Sequence, residues 1–100
     1  MVVVIFLFPK SANATQVETL VRERLLPNLR TPGVRSVTES QGDLMGSAGP
    51  QIPWAKVVVA TFDSLRDAMA SRESPEGQAG TEPMKRLGAQ VLLYEAKAVS

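Results

Sequence analysis

The sequence predicts an α+β fold, a four-stranded antiparallel sheet with its helices on one face. Two segments are apolar almost throughout, Val2 to Phe8 and the run Val57-Val58-Val59-Ala60, as strands at the centre of a sheet are. Each precedes a helix-start signature, and two shorter strand-like segments, near Val34 and near Val91, complete the order β-α-β-β-α-β. That order is the split pattern of ferredoxin-like sandwiches.

The first strand turns Val2, Val4, Phe6 and Phe8 to one face and Val3, Ile5 and Leu7 to the other. A sheet with one wet face alternates apolar and polar residues, so a strand apolar on both faces needs two covers. The helices of one domain supply one cover. The second is expected from another copy of the chain, which makes a homodimer the expected assembly.

Ser11 to Ala14 is turn-rich, and Thr15-Gln16-Val17-Glu18 matches a capping box that would start the first helix. Val17, Leu20, Val21, Leu25 and Leu29 recur at helical spacing until Pro27 ends or distorts the helix near Leu26. After the turn at Thr31-Pro32-Gly33, Val34 to Ser40 alternates as a half-exposed strand. Gln41 to Pro53 is a loop, since Gly42, Gly46, Gly49, Pro50 and Pro53 interrupt any regular element. Such a loop is ordinarily an exposed tip; as a flap it would close Met45 or Ile52 over a cavity.

Trp54 to Thr61 gives the third strand. A helix follows, capped by Asp63 or Ser64 and expected to carry Leu65, Ala68 and Met69 inward. Ser74-Pro75-Glu76 reads as another helix start, with Ser at the cap and Pro at the first helical position. Gly80 and Pro83 make it short or broken, stopping by Gly88. Ala89 to Lys97 is the last strand.

At 100 residues the chain is expected to form one domain, 1–100. Eleven Lys and Arg against ten Asp and Glu imply no strong field, which argues against a nucleic-acid or acidic-membrane partner. A sheet that reads RNA would also need stacking aromatics and a basic pattern on the third strand, where Ala55 to Thr61 supplies neither. Cysteine and histidine are absent, which removes disulfides, the usual zinc, haem and cluster ligands, and the commonest nucleophile and proton shuttle. No metal or cofactor is expected. The apolar opening lacks a preceding basic segment and a cleavage site, and Pro9-Lys10 ends it short of a membrane span, so a cytoplasmic protein is expected.

Four stretches resemble the EthD family of the dimeric α+β barrel superfamily. They are Leu7-Phe8-Pro9-Lys10, Val21-Arg22-Glu23-Arg24-Leu25-Leu26-Pro27, Thr31-Pro32-Gly33-Val34-Arg35, and Phe62-Asp63-Ser64-Leu65 followed by Ser74-Pro75-Glu76-Gly77-Gln78-Ala79. The second is similar to the family's aromatic-Arg-Glu-x-His-x-Pro run, with Arg22 and Pro27 matching, Val21 in place of the aromatic and Leu25 in place of the histidine. Pro83 interrupts a helix that is smoother in the family. The family takes its name from association with degradation of a fuel ether. The resemblance implies a dimer in which two sheets face each other around a barrel holding a small hydrophobic or aromatic metabolite, in a cofactor-independent catabolic enzyme or an accessory protein. The other reading is a non-catalytic interaction or regulatory module whose barrel is filled by side chains.

Phe8, Trp54, Lys56 and Tyr94 are the candidate substrate-binding residues. Core or dimer packing is the simpler reading for Phe6, whereas Trp54 and Tyr94 carry polar handles that could orient a ligand, which favours a pocket role for them. Lys56 is unusual inside an apolar strand: a buried amine with a lowered pKa could act as a base or form a Schiff base, whereas a lysine near a strand end commonly snorkels to water. Arg22, Arg24, Arg30 and Arg35 read as a solvated face balanced by Glu18 and Glu23.

Overall fold

A computed structural model describes residues 1–47, 49 and 52–99. The strands are β1 (Val2–Pro9), β2 (Val34–Glu39), β3 (Trp54–Phe62) and β4 (Gln90–Glu95), in spatial order β2-β3-β1-β4 with every pairing antiparallel. The helical segments are α1 (Ala14–Leu20), a π-helical turn (Val21–Leu25), α2 (Leu26–Asn28), α3 (Leu65–Glu73), α4 (Pro75–Ala79) and α5 (Thr81–Arg86). The two wholly apolar strands, β1 and β3, lie at the centre and pair along their whole length, Val2 opposite Phe62 and Phe8 opposite Lys56.

Val2, Val4, Phe6 and Phe8 share a face with Val58, Ala60 and Phe62, and this face packs against Val17, Leu20, Val21, Leu25, Leu29 and Ala68 of the helices. All the strand residues in this core belong to one alternation, so the helices form a single layer on one side. The other side carries Val3, Ile5 and Leu7, flanked by Val57 and Val59 of β3 and by Leu92 and Tyr94 of β4. No helix covers it. The ferredoxin-like fold read from the element order is therefore the fold observed.

Several local expectations are corrected. The first helix is capped by Asn13, whose side-chain oxygen accepts from the Gln16 backbone N–H at 3.0 Å, so the capping box at Thr15 does not form and the helix begins one residue before it. In an α-helix the ring of Pro27 would press on the carbonyl of Glu23. The chain relieves this by widening into the π-helical turn, where the N–H of Leu26 donates to the carbonyl of Val21, before α-type bonding resumes from Leu29 to Leu25. Leu65 is exposed rather than inward, because only Ala68 and Ser71 of α3 are buried. The last strand is shorter than expected at both ends.

Ser64 and Ser74 cap α3 and α4 by accepting from the N–H groups of Asp67 and Gly77. Pro83 lies in the first turn of α5, where a missing N–H costs nothing, and Gly88, at φ 78°, turns the chain out of the helix in a conformation that favours glycine. In the loop after β2, Met45 is 95% exposed and closes over nothing, while Ile52 is half-buried. Pro50 lies outside the described residues.

Candidate functional site

A partly enclosed cavity of about 310 Å³ lies between the sheet and the helices. Its floor is the helix-side face of β1 and β4, where Val4 stands opposite Leu93 and Phe6 opposite Val91. The cavity exists because the helix layer closes over the central strands β3 and β1 but stands off from the edge strand β4. Val91 and Leu93 remain substantially exposed although they point to the side that the helices occupy.

The first helical stretch lends the cavity one stripe of its surface. Leu20, Arg24 and Asn28 recur every four residues and face it, with Leu25 and Leu29 beside them. Leu25, where the family resemblance would place a histidine, is thus part of an apolar wall. On the other side α3 supplies Ala68, Ser71 and Arg72, and α5 supplies Thr81, Met84 and Lys85. Asn28 donates from Nδ2 to the carbonyl of Glu76 at 3.1 Å, tying the end of the first helical stretch to α4. Gly77 is required where α4 crosses the end of α3: a Cβ there would collide with the carbonyl oxygens of Ser71 and Arg72.

Phe8 and Lys56 stand opposite each other with Trp54 close by, opposite Pro9, while Tyr94 lies apart at the other end of β1; none of the four lines this cavity. Phe8 has no exposed surface and sits within the core. Tyr94 stands exposed on the uncovered sheet face, opposite Val3 at the far end of β1. Trp54 is half-buried opposite Pro9, beyond a register shift that interrupts the simple alternation from Lys56.

Lys56 lies opposite Phe8 on the helix side, with its side chain 12% exposed. Its Nζ donates to Glu18 Oε1 at 3.3 Å, to Glu39 Oε1 at 3.2 Å and to the carbonyl of Ser40 at 3.4 Å. Burial is the largest single influence and pulls its pKa down, but the hydrogen bonds and charges of Glu39 and Glu18 together outweigh it and hold the ammonium above the ordinary lysine value. The group is a charged tie between α1, β2 and β3. A neutral amine, as general base or Schiff-base chemistry needs, is disfavoured here.

Arg22 pairs with Glu23 at 3.7 Å and Arg35 with Asp63 at 3.2 Å, as a solvated, balanced surface would. Arg24 instead borders the cavity. Sequence reasoning passed over Arg72, Lys85 and Ser71 altogether, and the available signal was weak: a few polar residues on helices interrupted by Gly77, Gly80 and Pro83. Among the described residues no group of three or more acidic side chains is placed to hold a metal ion, and no helix is long and apolar enough to cross a membrane.

No family model matches the chain, and no curated protein does. Solved structures do. An EthD family protein from Bacillus halodurans superposes with a TM-score of 0.75 at 18% identity, over 97% of this chain and 99% of that one. A dimeric ferredoxin-like protein of unknown function from Thermobifida fusca gives 0.70 at 18% identity, over 95% and 90%. SnoaB, a cofactor-independent oxygenase from Streptomyces nogalater, gives 0.72 at 13% identity, over 98% and 94%. At these identities the likeness concerns the fold, and the chain has an EthD-like, ferredoxin-like α+β fold.

Proposed function

We infer that this chain binds a small hydrophobic or aromatic metabolite in the cavity between sheet and helices, as a homodimer joined through its uncovered sheet face and working in the cytoplasm. The observation that carries the ligand is the cavity itself. Its volume, about 310 Å³, falls at the lower end of the range that small-molecule sites occupy, and its apolar floor is rimmed by a few polar groups, the usual composition of such sites. The dimer is supported by the apolar stripe of Ile5, Leu7, Val57, Val59 and Leu92, which a lone copy leaves partly facing water. It is supported too by the description of a fold neighbour as dimeric.

SnoaB, which shares the fold, is described as a cofactor-independent oxygenase, and this supports an enzymatic version of the reading. One observation favours the alternative of a non-catalytic module: the ionisable side chains lining the cavity are all cations, so no carboxylate stands ready there as an acid or base.

The test has two arms. Titration with naphthalene, followed by amide NMR, should move the signals of Gly77, Gly80 and Ala89 and leave those of Val57 and Val59 unchanged; no response up to the solubility of the probe would refute the cavity reading. Sedimentation equilibrium should give a dimer, and Leu92→Glu a monomer. A monomeric parent chain would refute the assembly.

A further inference from the structure

The cavity is uneven in charge. Arg24 from the π-helical turn, Arg72 from α3 and Lys85 from α5 all line it, and no Asp or Glu does. The chain as a whole is nearly balanced, eleven basic against ten acidic residues, and elsewhere it pairs Arg22, Arg35 and Lys56 with carboxylates. Among the described residues Arg24, Arg72 and Lys85 make no ion pair. Three cations from three separate elements converge on one hollow without a counter-charge.

Ser71 supplies a second, independent observation. It is 7% exposed and lines the same wall, yet its hydroxyl makes no hydrogen bond among the described residues; only its backbone carbonyl is engaged, accepting from Ser74 Oγ at 2.7 Å. A serine on a helix ordinarily returns its hydroxyl to a carbonyl of the preceding turn. Among the described residues Thr31 Oγ1 is the one fully enclosed hydroxyl without a partner, so the Ser71 hydroxyl is open to solvent. Its place in the wall makes that hydroxyl available to a ligand's polar atom.

We propose that the cavity takes a small amphipathic carboxylate, with its apolar or aromatic body on Val4, Phe6 and Leu93 and its carboxylate among Arg24, Arg72 and Lys85. This rests on the cavity being a small-molecule site and names the class of molecule. Guanidinium groups match a planar carboxylate with paired, charge-assisted hydrogen bonds, so two arginines select an acid over its neutral isostere. The hollow of about 310 Å³ holds the equivalent of about ten liquid waters, which limits the body to one or two fused rings or a short chain.

The experiment compares 2-naphthoate with 2-naphthamide, a neutral probe of nearly the same shape, by calorimetry on the full chain and on the triple variant R24Q/R72Q/K85Q. All three substitutions are at exposed positions, and circular dichroism checks that the variant folds. The acid should bind about tenfold more tightly than the amide to the parent chain, and this preference should weaken as salt screens the cations. In the triple variant the two should bind alike. Equal binding by the parent chain would overturn the carboxylate class while leaving the cavity reading intact; a preference that survives in the variant would overturn the role of the three cations. Binding of neither probe would overturn both readings.

Discussion

Over β3 and the part of β1 beside it the helix layer is closed: Val58 and Phe8 have no exposed surface, and the one charge that β3 carries, Lys56, is held by two glutamates and a carbonyl. Over β4 the same layer stands off from Val91 and Leu93, leaves a hollow of about 310 Å³ and borders it with three cations that no carboxylate answers. The two ends obey one alternation rule and differ only in cover. What separates them is partnership. A buried charge that the fold needs is met by groups the fold supplies, because an unanswered one would cost several kcal/mol, whereas charges at a cavity rim can stay solvated until a ligand arrives.

Core truncation should expose this difference most strongly. Phe8→Ala removes a ring enclosed on all sides, and such substitutions cost about 3–5 kcal/mol. Met84→Ala, on the cavity wall, removes a side chain that is only half-buried beside an existing void, and should cost less than half as much. Urea denaturation of the two variants checks the ratio. Equal losses would mean that the cavity end is packed as tightly as the closed end.

The closed end can next be broken through its charge. Lys56→Met leaves Glu18 and Glu39 facing each other without their shared cation; since both are about half-exposed, the expected loss is about 1–2 kcal/mol, below that for a fully buried pair. The pH dependence carries the sign. The folded pKa of Lys56 lies above its ordinary value, so its contribution is fully present below about pH 10 and is lost as pH rises through the folded value. The stability gap between the parent chain and Lys56→Met should therefore be constant from neutral pH to about pH 10 and narrow beyond it. A gap that already closed between pH 7 and 9 would show that the amine titrates low and contradict the ion-pair role.

These two ends also mark what the residue pattern reveals and what it does not. Strand order was legible because Val2 to Phe8 and Val57 to Ala60 are too apolar to lie anywhere but the centre, and the cap at Ser74 because capping is a local contest among a few atoms; for the helix after β3 the pattern left Asp63 and Ser64 open, and Ser64 is the cap. Asn13 won such a contest over Thr15 by one hydrogen bond, a margin that spacing does not express. Lys56 stood out as a charge within an apolar strand, but its partners lie 38 and 17 positions away, and only the packing of α1 and β2 reveals that it is tied. The cavity was hidden for a deeper reason. It follows from how far the helix layer extends across the sheet, which depends on where Pro27, Gly77 and Gly80 bend the chain, and no single segment encodes that.

The smallest expected effect concerns the cavity end alone. Ser74 joins α3 to α4 twice: its hydroxyl accepts from the N–H of Gly77 at 3.1 Å and donates to the carbonyl of Ser71 at 2.7 Å, while Gly77 and Ser71 both line the hollow. Ser74→Ala should cost about 1 kcal/mol, the usual loss for an N-cap serine. The more telling readout is local. If the roof of the cavity is the less stable part of the helix layer, amide exchange should quicken at Gly77 and Gln78, with little change at Val58 or Ala60. A uniform acceleration across α4 and the central strands would mean that the two ends unfold as one unit, and the contrast between a closed half and an open half would then describe packing without describing motion.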